Sequence, residues 1–141
     1  MNKTNVINII KEKLQNLFNF YSTKKYSEVI NRGLPLLKKN PQLNILSNLI
    51  SLSYHNLGEH DKAILLLEEA LQVNSKDSSV LNNLGLVHTS LENYEEAEYY
   101  LERSLKLKKE YVSGSVNMAN LKLKLNNGQE AINILEKILV N

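Results

Sequence analysis

Apolar residues return along this chain at spacings of three and four, in blocks separated by short polar breaks, a pattern that predicts amphipathic helices and no strands. Leu14, Leu17, Phe18 and Tyr21 mark a first helix beginning after Thr4, and Ser22 to Lys25 read as a turn. A second helix is expected from Tyr26 to Lys39. It contains Gly33 and Pro35, so a kink near Asn31 and Arg32, or a fresh start at Leu34, is predicted. Asn40-Pro41 closes this hairpin, with Pro41 expected in the opening turn of the next helix. Leu46, Leu49, Ile50, Tyr54 and Leu57 define that helix, and Ile64, Leu67, Ala70 and Leu71 its partner. Ser75, Asp77 and Ser78 are candidate caps for the following pair, whose stripes are Leu81, Leu84, Val87, His88 and Leu91, then Ala97, Leu101, Ser104 and Leu105. Val116, Met118, Leu121 and Leu125 run into the turn Asn126-Asn127-Gly128, followed by Ala131, Ile134, Leu135 and Ile138.

The blocks are copies of one unit. Leu57-Gly58-Glu59-His60-Asp61-Lys62-Ala63 returns as Leu91-Glu92-Asn93-Tyr94-Glu95-Glu96-Ala97, and Ala63, Ala97 and Ala131 are spaced by 34 residues, with Val29 another 34 before Ala63. A fixed period of this length predicts stacked helix pairs, each held by its neighbours. The expected organisation is a single domain over 1–141, with units near 10–43, 44–77, 78–111 and 112–141.

With Val29 and the three alanines at place twenty of a 34-residue unit, place eight holds Leu17, Ser51, Gly85 and Ala119, and place twenty-seven holds Leu36, Ala70, Ser104 and Ile138. Helices approach to about 8 Å only where side chains are small, so these places predict the close contacts. The recurring Leu-Gly, Tyr and Ala places resemble the tetratricopeptide repeat, most specifically in units two and three. The resemblance implies an all-α, right-handed superhelical solenoid of antiparallel helix pairs, of bacterial type, that binds proteins in a concave groove lined by the first helix of each pair. Units one and four depart at several small places, as terminal units do. Such arrays usually end in a capping helix. Here Ile134, Ile138 and Leu139 are expected to be partly uncovered, which offers a contact for a homo-oligomer, as does the outer pair Leu65 and Tyr99.

Composition narrows the chemistry. There is no Cys, which removes disulfides, thiolate catalysis and Cys-based zinc sites and suits the cytoplasm. The net charge is +2 and Arg32 and Arg103 are the only arginines, so nucleic acid is not an expected partner. The N-terminus lacks a signal-type apolar run, and no stretch is apolar enough for a membrane span. His88 and His60 stand at aromatic places and are expected to pack. His55 is expected to face the groove, but with no carboxylate or thiolate at ligand spacing no metal is expected there. Glu68, Glu69, Glu95, Glu96, Glu98 and Glu102 fall on the outer helices as a solvated face, with Glu102 and Lys106 spaced for an ion pair; Lys106, Lys108 and Lys109 close the helix before them. No nucleophile, base and oxyanion donor converge, so neither catalysis nor a cofactor is expected.

What remains is a surface. Asn48, Leu52, His55, Asn82, Asn83, Leu86, Asn117, Asn120 and Lys124 are the predicted groove residues, and amides dominate them. An amide both donates and accepts, so such a row suits the backbone of an extended peptide. The family's carboxylate clamp uses Lys and Arg with Asn. Here Asn83, Asn117 and Lys124 stand without an Arg, and Ser79 and Ser113 occupy cation places, so that mode is not expected. The expected role is a protein- or peptide-binding scaffold. The alternatives are a substrate-recruiting array ahead of a bacterial transferase or oxygenase, and a self-assembly module.

Overall fold

The computed structural model describes residues 2–140, all of whose regular elements are α-helices: α1 (Lys3–Ser22), α2 (Tyr26–Lys39), α3 (Asn44–Asn56), α4 (His60–Val73), α5 (Ser78–Ser90), α6 (Tyr94–Leu107), α7 (Val112–Lys124) and α8 (Gly128–Val140). Contacts cluster into two compact units, 1–66 and 67–141, with the boundary inside α4.

The turns repeat as strictly as the helices. Lys24, Gly58, Glu92 and Asn126 are spaced by 34 residues, and each is left-handed, with φ of 58°, 77°, 62° and 57°. In every case the next residue donates its N–H five residues back: Lys25 to Phe20, Glu59 to Tyr54, Asn93 to His88 and Asn127 to Lys122, at 2.8–3.0 Å. This is the 6→1 closure that satisfies orphan carbonyls at a helix end. Only one of the four residues is a glycine.

In the first unit, α2 packs against α1 and α3, and α1 also touches α3. Leu17, Val29, Ile30, Leu36, Leu37, Leu46, Leu49 and Ile50 form its core. Gly33 explains the approach of α3: a β-carbon there would fall 2.8 Å from Ile50 Cγ1. The expected fresh start at Leu34 is absent. α2 is continuous through Pro35, whose missing N–H would have met the carbonyl of Asn31, an exposed residue where water can take its place. Pro41 lies in the turn before α3 and not in its first turn, and α1 starts at Lys3, capped by the Asn2 side chain accepting from Thr4 N at 2.7 Å.

In the second unit, α5 packs against α6 and α7, and α7 against α6 and α8. Contact between an outer helix and the next inner one, α2 with α3 and α6 with α7, complements the inner–inner packing that the period implies. Asp77 is the cap of α5, accepting from Ser79 N and Val80 N at 3.0 and 3.1 Å. Leu101, Met118 and Leu121 close over Ala97. Ser104 meets α5 through its hydroxyl, which donates to the Ser78 carbonyl at 2.7 Å. Val29, Ala63, Ala97 and Ala131 are all buried, as the close-contact reading requires.

Candidate functional site

In the second unit the predicted residues stand on α5 and α7. Asn82 and Asn83 are buried, Leu86 and Asn117 half-buried, and Asn120 and Lys124 exposed. Asn117, Asn120 and Lys124, at spacings of three and four, share one face of α7. The amides bond one another: Asn117 Nδ2 donates to Asn82 Oδ1 at 2.9 Å, and Asn82 Nδ2 to Asn83 Oδ1 at 3.4 Å. Beside them the Tyr111 hydroxyl donates to Ser79 Oγ at 3.3 Å. The amides therefore act first as a fixed polar seam between two inner helices, and the outward groups are Leu86, Asn120 and Lys124.

In the first unit Asn48, Leu52 and His55 occupy one face of α3, all half-buried. Asn56 donates to the Tyr21 hydroxyl at 3.2 Å, joining α1 to α3. Burial raises the Tyr21 phenol above its ordinary value, partly offset by that hydrogen bond. His55 meets His60 across the turn, Nδ1 to Nδ1 at 3.1 Å with ring centroids 4.9 Å apart. Thirty-four residues earlier the same two places hold Tyr21 and Tyr26, whose rings meet edge-on at 5.4 Å. His88 is packed, stacking on Tyr100 at 5.6 Å and 16°.

Several features were not foreseen. Lys122 on α7 reaches Glu98 on α6 at 2.5 Å and Glu130 on α8 at 3.3 Å, and the Glu98 bond is the main cause of its raised pKa. Glu98 is therefore tied across helices and is not part of a merely solvated face. Lys13, Phe20, Arg32, Pro35 and Lys39 help to line a cavity of about 570 Å³ between α1 and α2. Both arginines are engaged at home: Arg32 with Glu28 and over the Phe20 ring, Arg103 with Tyr99. Leu139, Leu65 and Tyr99 are exposed, and Ile134 and Ile138 half-buried. Among the described residues no helix is long and apolar enough to cross a membrane, and no three His, Cys, Asp or Glu side chains converge on a metal position.

The tetratricopeptide repeat profile matches residues 41–110, which contain Ala63 and Ala97 and the left-handed turns at Gly58 and Glu92. The chain belongs to the tetratricopeptide repeat family. Solved structures agree across nearly its whole length. The thermophilic repeat protein TTC0263 of Thermus thermophilus is similar at 20% identity and a TM-score of 0.81, covering 87% of this chain and 69% of that one. MamA of Desulfovibrio magneticus RS-1 is similar at 15% identity and a TM-score of 0.74, covering 92% and 73%. The first tetratricopeptide domain of Spaghetti (RPAP3), solved with the HSP90 peptide SRMEEVD, is similar at 19% identity and a TM-score of 0.71, covering 79% and 89%. At these identities the likeness shows the fold alone: the all-α helix-pair solenoid. No curated protein matches the chain in sequence. The family is in general a non-catalytic protein-interaction fold.

Proposed function

We propose that this protein is a non-catalytic interaction scaffold that takes an extended peptide or protein segment along its inner helices. The observation behind this reading is the surface of α5 and α7: half-buried Leu86 offers an apolar contact beside exposed Asn120 and Lys124, and the seam of Asn82, Asn83 and Asn117 beneath them is already hydrogen-bonded. In the first unit Asn48, Leu52 and His55 on α3 offer the same mixture. A related fold holding a peptide of another protein supports the mode of use. The Cys-free composition favours a cytoplasmic setting. Two arginines occupied by neighbouring side chains favour protein over nucleic acid as the partner.

The test begins with a peptide library panned on the tag-free chain. The best peptide is then titrated calorimetrically against Leu86→Ala, Asn120→Ala and Lys124→Glu, each checked for an unchanged helical melt. Losses of about tenfold or more at two of the three sites support the groove. Unchanged affinity at all three would put the ligand elsewhere. A second reading, self-association, is favoured by the exposed Ile132, Leu135 and Leu139 on α8. Sedimentation that stays monomeric over a wide concentration range excludes it.

A further inference from the structure

We propose that His55 and His60 form an open two-imidazole site for a borderline divalent transition-metal ion, of which zinc and nickel are representative. The distance is the first reason. Zinc–imidazole bonds are about 2.0–2.1 Å, so two Nδ1 atoms 3.1 Å apart subtend about 100° at a shared ion, suited to adjacent positions of a tetrahedral or tetragonal sphere. The second reason is rigidity. His55 is in the last turn of α3 and His60 is the first residue of α4. Gly58 N donates to the His55 carbonyl at 3.0 Å and Glu59 N to the Tyr54 carbonyl at 2.9 Å, which fixes the turn between the two rings.

The third reason is the repeat itself. These two places hold Tyr21 and Tyr26 in the unit before and Thr89 and Tyr94 in the unit after, so packing does not demand imidazoles and only this unit supplies a ligand pair. Both rings are half-buried, within reach of a hydrated ion. Without metal, one Nδ1–H donates to the other Nδ1. On binding, the donor ring exchanges its proton to Nε2 through solvent, both Nδ1 lone pairs face the ion, and water fills the remaining positions with no net proton released. The contact that packing shows as a hydrogen bond thereby becomes a chelate.

The test uses the full tag-free chain titrated with zinc chloride and with nickel chloride, read by imidazole nitrogen NMR and by calorimetry. One saturable equivalent is expected, moving the His55 and His60 Nδ1 resonances together and leaving His88, stacked on Tyr100, in place. His55→Tyr and His60→Tyr install the residue types of Tyr21 and Tyr26, so the fold is expected to survive, which a helical melt verifies. Each is expected to weaken zinc binding about tenfold or more. Calcium and magnesium, which take oxygen ligands, are expected not to bind there. Absence of saturable zinc and nickel binding, or equal binding by the double Tyr variant, overturns the proposal.

Discussion

Gly85 on α5 lies so close to Leu101 on α6 that a β-carbon added to it would fall 2.4 Å from Leu101 Cγ and 3.2 Å from the Ala97 carbonyl oxygen. Neither α5 nor α6 can retreat without uncovering the rest of their interface, so Gly85→Ala is expected to cost about 1–3 kcal/mol in urea unfolding. Leu101→Ala should in turn cost less in the Gly85→Ala background than alone. Additive losses, within about 0.5 kcal/mol, would show that this contact does not set the helix spacing.

The left-handed turn residues give a pair of opposite expectations. A β-carbon at Gly58 would meet nothing within 4 Å, so Gly58→Ala pays only for its φ of +77° and should lose about 1 kcal/mol. Glu92 sits at φ 62° with a side chain, and Glu92→Gly should gain about 0.5–1 kcal/mol. Chemical denaturation of both variants checks the signs. Loss of stability in Glu92→Gly would refute the backbone argument.

Ser51 is fully buried, and its hydroxyl has no hydrogen-bond partner. Removing an unsatisfied buried hydroxyl relieves its desolvation penalty, so Ser51→Ala is expected to be neutral or to stabilise by about 1 kcal/mol. Ala119 already fills the same place in the last repeat. Ser53, whose hydroxyl donates to the Leu49 carbonyl at 2.9 Å, is the control, and Ser53→Ala should instead destabilise. If both variants lost equally in thermal melts, the partnerless hydroxyl would have no energetic meaning.

Burial holds His88 below the ordinary imidazole value of 6.5, against the opposing pull of Glu96 and Glu68. The unfolded ring therefore takes up a proton first as the solution is acidified. Stability should fall as pH drops below 6.5 towards the folded pKa, and the loss is complete beneath it. His55 acts in the same direction. His88→Phe, which copies Phe20 at the same repeat place, should show a smaller drop in urea midpoint between about pH 7.5 and about pH 5.5 than the parent. An identical drop in the two proteins would exclude His88 as a source.

The helices and their close contacts were legible because both rest on local spacing. The period put Val29, Ala63, Ala97 and Ala131 at one place, and all four are buried. Pro35 does not restart the helix at Leu34, because its lost hydrogen bond falls beside exposed Asn31 and α2 runs through it. The site was less legible. Periodicity says which face of a helix looks inward, but not that Asn82 and Asn83 are buried, nor that Asn117 turns its amide on Asn82. Lys122 and Glu98 are 24 residues apart and on different helices, so their pairing depends on crossing geometry and rotamers that no one-dimensional spacing encodes. His55 and His60 were visible as residues, but their meeting required the turn to be built.

The recurrence of one left-handed residue at 24, 58, 92 and 126 also limits how this chain can change in length. Inserting a single amino acid into a helix would rotate everything beyond it by about 100° and push a different side chain into the next bend. Duplicating or deleting a complete hairpin disturbs neither. Growth and shortening by whole modules are the changes in length that leave every remaining joint intact.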